Sequence, residues 1–513
     1  MKFELSHEGK ILTLVDATVL ERKQLQISLS KKIPNFNFFP EAVKRRIPNN
    51  GVVSYFHKDK YIPVGLWQEV KWIAETFKYK LEIKGLGDAL FYNEVSRDEF
   101  QDWVDDKFEG AENHDGDPFI PRKYQVDTAF AILTNKISVS ELTTAAGKSL
   151  IIFICIAYFQ EKEISKKILM IVPSIDLVIQ AYEDFNEYNE FLSSDNKIKL
   201  NIKQMHGGEK KDFKATQNIH VSTFQTLGNM QAQYFTVFDT VIVDECHRTK
   251  SNTIRECISK CKNVKRRFGL TGTTPKQGTL DSLTLQAYLG PKVIEIKAKE
   301  LQDKGDIADV EIAIVELEYP EEVQDRFDLI KKDLKEDKGK LLKIEQDFVI
   351  KYKPRMEMIA KVISKVQKNQ LVLFHRQAYG KELKKYLEEN TDKEIYFIYG
   401  EIKKDDRGEI KKLMELGSNK VLVASFGTLS TGVNIRNIHN ILFVESFKSD
   451  VIVRQSIGRG LRKHKDKDKL RVYDFVDVLN SSKKNMLMNH SRVRRTIYNE
   501  QDFKYVIKKV SLS

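Results

Sequence analysis

Two consecutive series of short, bounded, Ile/Val-rich runs constrain this chain more than any other feature. The first comprises ILMIVP (168–173), IHVST (219–223), TVIVDE (240–245) and RFGLTGT (267–273). The second comprises LVLFH (371–375), IYFIYG (395–400), KVLVAS (420–425), NILFVES (440–446) and RVYDFVD (471–477). Continuous rather than alternating apolar runs indicate strands buried on both faces. The stretches between them are long enough for crossover helices, so each series predicts a parallel sheet covered on both sides. A length of 513 residues leaves room for a further small domain. Residues 1–110 supply it: ILTLV (11–15) and VVSYF (52–56) read as strands. Val70, Ile73, Ala74 and Phe77 recur at helical spacing. The acidic stretch EGAENHDGD (109–117) reads as an exposed connection, and the charged segment 317–370 as helices leading into the second sheet. The expected organisation is a small α+β domain over 1–110, an α/β domain over 111–305 and a second over 306–513.

Composition narrows the class. Charged residues are frequent at 31%, Gly (25) and Pro (11) are sparse, and no low-complexity tract is present, which excludes disorder and collagen-like repetition. The longest apolar run, 150–159, is about half of the roughly 20 residues a spanning helix needs. MKFELSHEGK lacks a signal-like apolar core, and four Cys make no disulfide framework. A cytoplasmic location is therefore expected (the host cytoplasm for a phage-encoded chain). The net charge of +12 makes nucleic acid a candidate partner, because Lys and Arg release counterions from phosphates.

Residues 143–149, TTAAGKS, lie between the Ile137–Leu142 segment and LIIFICIAYF. GKS at a strand-to-helix turn is the second half of a phosphate-binding loop. Gly147 would let the backbone approach phosphates and the helix N-terminus would supply N–H donors. Lys148 would reach the β/γ-phosphates and the Ser149 hydroxyl would join a Mg²⁺ shell. The full G-x-x-x-x-G-K-S pattern is incomplete, because Leu142 occupies the first glycine position. A second element strengthens the reading: TVIVDECHR (240–248) places Asp244 and Glu245 at the carboxyl end of a buried strand. Paired acids there are costly without a cation; Mg²⁺ would satisfy Asp244, leaving Glu245 to orient or deprotonate the attacking water.

With these motifs in place, the chain resembles the superfamily 2 helicases, and within them the UvsW-type ATP-dependent DNA helicases of T4-like bacteriophages. The resemblance covers essentially the whole chain. PRKYQ (121–125) is similar to the adenine-reading segment before the loop, implying nucleotide contact by Arg122, Tyr124 and Gln125, with Thr144 inside the loop. IVPSIDLVIQ (171–180) resembles motif Ia, VSTFQTL (221–227) the segment before DECH, and LTGTTP (270–275) stands in place of the Ser-Ala-Thr motif III. VLFHRQAYG (372–380) resembles motif IV, FGTLSTGVNI (426–435) motif V, and QSIGRGLR (455–462) matches Q-x-x-G-R-x-x-R.

The resemblance implies two tandem RecA-like parallel-sheet domains, with Gln455, Arg459 and Arg462 facing the nucleotide. Arg459 and Arg462, three apart, are expected on one helix face as arginine fingers. His247, Thr271 and Thr273 would couple nucleotide state to motif III. Pro173, Ser174, Thr223, Thr428 and Thr431 would contact nucleic-acid phosphates. The implied cofactors are ATP and Mg²⁺. The implied activity is remodelling of branched DNA (junction migration, fork regression, RNA–DNA loop unwinding) in recombination and repair, with recombination or single-strand-binding proteins as partners. An RNA helicase, or an annealing protein with a regulatory ATPase, remains an alternative, because DECH does not distinguish DNA from RNA.

The charge surplus sits at one end. Residues 451–513 hold 16 Lys+Arg against 6 Asp+Glu, whereas 1–110 balance at 17 against 17. Lys463, Lys465, Lys483, Lys484, Arg492, Arg494 and Arg495 therefore form an expected basic tail, with the last three as DNA contacts. Cys246, His247, Cys257 and Cys261 fit no zinc-finger spacing, and Cys155 reads as a core residue. Phe36, Phe38, Phe39, Tyr55 and Phe56 could stack on bases, but their spacing favours buried strand faces.

Overall fold

The computed structural model describes the chain apart from residues 7, 46, 93–94, 115, 144, 206–216, 335–336, 401–403, 430–434, 463, 465–466, 481–483 and 513. It comprises two compact units, Met1–Leu142 with Ala146–Ile296, and Thr143–Ala145 with Lys297–Ser513.

The first unit is built on a seven-stranded, all-parallel sheet. Its strand order is Lys292–Ile296, Ile137–Leu142, Arg266–Thr271, Thr240–Asp244, Ile168–Val172, Ile219–Thr223 and Ile202–Met205. The central strands are buried residue after residue, as their continuous apolar runs require. Helix Lys148–Glu161 has no polar face: every residue from Leu150 to Phe159 is buried. The N-terminal residues add a mixed four-stranded sheet in the order Tyr61–Pro63, Ile11–Asp16, Lys2–Leu5 and Glu82–Lys84. Helix Trp67–Thr76 turns Val70, Ile73 and Ala74 inward. Their core is shared: Phe3, Leu12, Leu66, Val70 and Ile73 cluster with Ile137 and Leu283 of the parallel-sheet region.

The second unit repeats the plan. Its order is Ile395–Ile398, Val421–Ser425, Gln370–Phe374, Asn440–Phe443, Lys469–Val478, Asp309–Glu318 and Tyr505–Ser511, again all parallel. The charged segment forms helices Glu321–Asp333, Lys338–Lys351 and Lys353–Lys365. The expected fold, two parallel-sheet domains of RecA-like type and a small α+β N-terminal region, is present.

Two expectations about secondary structure need correction. The C-terminal segment is no loose basic tail: helix Met486–Glu500 packs onto the sheet and Tyr505–Ser511 forms its edge strand. Phe36 and Phe38 lie in a 3₁₀ turn, Phe36–Phe38, rather than in a strand. Phe36 is buried, whereas Phe38 is 87% exposed. All four cysteines are buried and free, and no metal-holding cluster of His, Cys, Asp and Glu occurs among the described residues. None of the described helices is long and apolar enough to cross a membrane.

Candidate nucleotide site

The loop before helix Lys148–Glu161 is set by Gly147, which adopts the left-handed conformation (φ 72°, ψ 46°) as the helix N-cap. A Cβ there would also stand 2.5 Å from Nε2 of Gln125, so a side chain would displace the amide that bonds the Ala146 carbonyl. Gln125 is buried; its Oε1 accepts the Arg122 N–H at 2.9 Å and its Nε2 donates to the Ala146 carbonyl at 3.1 Å. The Tyr124 hydroxyl donates to the same carbonyl at 3.1 Å. Through these bonds the polar groups of Gln125 and Tyr124 tether the loop. Arg122 is exposed just before helix Lys123–Thr134. Ser149 is half-buried in the first turn after Gly147, and Thr144 lies outside the described residues.

Lys148 opens the buried helix and its Nζ lies 3.4 Å from Oε1 of Glu245. Asp244 ends strand Thr240–Asp244, and its Oδ1 accepts the Glu245 N–H at 2.9 Å. Glu245 is a non-glycine residue at φ 50°, ψ 49°, a conformation seldom adopted without local compensation. Here the compensation is a set of partners on both carboxylate oxygens. Oε2 lies 3.2 Å from Nδ1 of His247 and accepts from the Thr271 hydroxyl at 3.3 Å. His247 Nδ1 also lies 2.9 Å from Thr271 Oγ1, and Thr271 Oγ1 accepts the Thr273 N–H at 3.3 Å. Lys148, Asp244, Glu245, His247, Thr271 and Thr273 are thus brought together.

The two acids are driven apart electrostatically. Burial, reinforced by the neighbouring Glu245 charge, pushes the Asp244 carboxyl up to about 6. Burial would raise Glu245 as well, but the charges and hydrogen bonds of Lys148 and His247 outweigh it and hold that carboxyl below the usual range. Glu245 stays ionised, whereas Asp244 makes no ion pair among the described residues and feels Lys148 and His247 more weakly than its burial.

Glu141, at the end of the strand before the loop, was not singled out by sequence reasoning. It accepts from Thr274 Oγ1 at 2.6 Å and from Lys292 Nζ at 3.0 Å, tying motif III to the neighbouring strand. An acid alone in a strand end carries no motif that would have flagged it.

The expected nucleic-acid contacts divide. Pro173 is buried, and Ser174 is the N-cap of helix Ile175–Phe191 without bonding its own backbone. The buried Ser174 Oγ finds no hydrogen-bond partner among the described residues. Thr223 is corrected: it is buried and its Oγ1 caps helix Phe224–Gly228 by accepting the Thr226 N–H at 3.3 Å. The side chain of Thr428, and Thr431 entirely, lie outside the described residues.

In the second unit, Gln455 and Arg459 are half-buried on helix Asp450–Gly460. Arg462 lies two residues beyond that helix, which corrects the expectation of one shared helical face. Arg494 is also corrected, because it is fully buried and bound to Asp474 and the Phe447 carbonyl. Arg495 pairs with Glu316 at 2.8 Å, and Arg492 is exposed with Nη1 donating to Asn489 at 3.0 Å. Lys463, Lys465 and Lys483 lie outside the described residues.

Comparison with known proteins identifies the family. Residues 119–276 match the family described as type III restriction enzyme, res subunit, and residues 354–464 match the helicase conserved C-terminal domain. The chain is 30% identical over 480 residues to the ATP-dependent DNA helicase uvsW of Enterobacteria phage T4, covering 90% of this chain and 91% of the relative. It is 24% identical to the DNA 3'-5' translocase XPB2 of Sulfurisphaera tokodaii, over 68% of this chain and 80% of that protein. The DNA-bound restriction-modification enzyme LlaBIII shares the fold, with a TM-score of 0.56 at 14% identity, over 85% of this chain and 34% of that one. A relative matched over nine-tenths of the chain and the two domain matches, on a chain that pairs a phosphate-loop lysine with a DECH carboxylate, place the protein in the UvsW family of superfamily 2 as an ATP-dependent helicase.

Proposed function

We propose that the protein couples ATP hydrolysis to the remodelling of branched DNA: junction migration, fork regression and unwinding of RNA–DNA loops. The observation that carries the ATPase part is the convergence of Lys148, His247 and Thr271 on the Glu245 carboxylate. The DNA part rests on the likeness over nine-tenths of the chain to a relative named as a DNA helicase.

In this reading Lys148 neutralises the β/γ-phosphates, and the backbone at Gly147 and the helix N-terminus cradle them. Asp244, raised by burial and by Glu245, is chemically suited to a divalent cation, and Ser149 supplies the hydroxyl that follows the loop lysine. These two residues would hold Mg²⁺, which when bound supplies charge neutralisation on the phosphates. Glu245, kept ionised, orients the attacking water. Arg459 and Arg462 offer guanidinium charge to the transferred phosphoryl group. Thr271 and Thr273 relay the state of Glu245 through His247 into motif III.

Nucleic acid is gripped through phosphates, with Ser174 and the N-terminus of its seventeen-residue helix as one contact. Thr428, Thr431 and Arg492 are further contacts in this reading. Phosphate contacts give position without sequence, as a translocating motor requires.

The test is ATP hydrolysis and strand displacement on forks, four-way junctions, linear duplex and RNA duplex, with Lys148→Ala as control. Forks and junctions are expected to be the best substrates. Hydrolysis stimulated by RNA alone would make the protein an RNA helicase, and hydrolysis untouched by Lys148→Ala would remove the site assignment.

A further inference from the structure

The N-terminal region grips the element that follows motif III. Gly65, in the 3₁₀ turn Val64–Leu66, approaches helix Leu280–Leu289 so closely that a Cβ would stand 1.9 Å from the Gln286 carbonyl oxygen. The buried Tyr55 hydroxyl donates to Thr284 Oγ1 of the same helix at 2.7 Å. Leu66, Val70 and Ile73 share a core with Leu283. This is a rigid seam, built from backbone contact, a buried hydrogen bond and apolar packing.

One residue in the seam does not belong to an apolar packing surface. Glu69 is 3% exposed on helix Trp67–Thr76, beside the buried Val70. An apolar side chain there would extend the buried face at no desolvation cost, whereas a buried carboxylate is expensive. Its electrostatic neighbours are the side-chain amides of Gln277 and Gln286 and the Lys31 ammonium, and the Gln286 Nε2 also donates to Ser282 Oγ at 3.2 Å. Glu69, Gln277 and Gln286 line one cleft of about 580 Å³, together with Thr274 and Lys292. Gln277 lies in the connection between strand Arg266–Thr271 and helix Leu280–Leu289, four residues after Thr273. Through this connection the carboxylate reaches the segment whose Thr271 touches Glu245.

We propose that Glu69 is a positioning residue for the ATPase, holding the motif III connection through Gln277 and Gln286 and thereby setting the Thr271–Glu245 contact. The N-terminal region is then part of the frame of the hydrolytic site as well as a neighbour of it. The proposal rests on the reading of Glu245 as the water-orienting group. A carboxylate suits the task because it only accepts, and can take an N–H from each of two amides.

The experiment uses the full chain and measures kcat and KM for ATP, with and without forked DNA, for Glu69→Ala, Glu69→Gln, Gln277→Ala and the double Glu69→Ala/Gln277→Ala. Glu69→Ala is expected to lower kcat about tenfold with KM for ATP unchanged within about twofold. Gln277→Ala should do the same, and the double variant should lose no more than either alone. Glu69→Gln, which keeps one accepting oxygen, should recover part of the loss. A purely structural role would instead lower the melting temperature without splitting kcat from KM. If Glu69→Ala fails to fold, Gln277→Ala, in an exposed connection, and Glu69→Gln still decide. An unchanged kcat in Gln277→Ala, or losses that multiply in the double variant, would overturn the proposal. Glu245→Gln run alongside separates the two readings: full hydrolysis there removes the site assignment, while its loss with unaffected Glu69 and Gln277 variants removes only the positioning role.

Discussion

The Arg494 guanidinium is clasped by Asp474, with Nη2 2.6 Å from Oδ1 and Nε 2.9 Å from Oδ2, and neither side chain reaches solvent. Three residues along the same strand, Asp477 binds the equally buried Arg355. Because strand side chains alternate, positions 474 and 477 project from opposite faces of the sheet. Strand Lys469–Val478 is therefore pinned on both sides by buried ion pairs, one from helix Met486–Glu500 and one from helix Lys353–Lys365.

Arg494→Ala leaves Asp474 buried and unpaired, so it is expected to destabilise the second unit by about 3–5 kcal/mol. Chemical unfolding measures this directly. Loss of DNA affinity in a variant whose stability is unchanged would contradict the buried-pair account.

Arg492, by contrast, is exposed. Arg492→Ala is expected to weaken DNA binding modestly, to reduce the slope of log affinity against log salt by about one, and to spare stability. Titrations at several salt concentrations would show it; a slope identical to that of the parent chain would count against a phosphate contact.

Lys148→Ala and Glu245→Gln should each reduce ATP hydrolysis by at least about a hundredfold, but by different routes. The lysine variant is expected to bind ATP more weakly, whereas the glutamate variant should bind it as the parent does. Equilibrium nucleotide titration beside steady-state kinetics distinguishes them.

Thr271→Val removes the hydroxyl that bonds Glu245 and sits 2.9 Å from His247. The expected result is a larger fall in strand displacement than in ATP turnover, so that more ATP is consumed per base pair opened. Equal losses in both activities would assign Thr271 to hydrolysis alone.

His220 is fully buried with Nδ1 2.7 Å from the Tyr234 hydroxyl, and burial, aided by the Lys203 and Lys167 charges, lowers its pKa to about 4. A folded-state pKa below the ordinary 6.5 means that the neutral ring's stability is complete above pH 6.5 and is lost as pH falls through about 4. The loss can reach about 3 kcal/mol. His220→Gln should flatten this acid dependence when unfolding is followed between pH 7 and pH 4.

Both parallel sheets were legible because a strand buried on two faces writes an uninterrupted apolar run. The nucleotide-site residues were legible because GKS and DECH are chemical necessities at fixed places on such a sheet. The edge strands Lys292–Ile296 and Tyr505–Ser511 were not, since their exposed faces carry Lys and Glu and break the run. The basic C-terminal segment misled for a different reason: Arg494 looks like surface charge until Asp474 is placed against it. Glu345 was invisible for the same cause. It accepts the Met486 and Leu487 N–H groups at 3.0 Å each, capping a helix about 140 residues away in sequence. Long-range pairing of polar groups leaves no local periodicity to read.

The helix that begins at Lys148 has no wet side from Leu150 to Phe159. Its central amides can meet solvent deuterium only when the whole first unit opens, so they should be among the slowest to exchange in the chain. A ligand held at its first turn then protects far more than the loop: occupancy at Lys148 would be read out across the entire unit as slower exchange. The same helix offers no room for a small sliding adjustment, because every rotation drives a large side chain into a filled core. The phosphate end of the site is a fixed anvil, and any movement that accompanies turnover has to be borne by the connections around it.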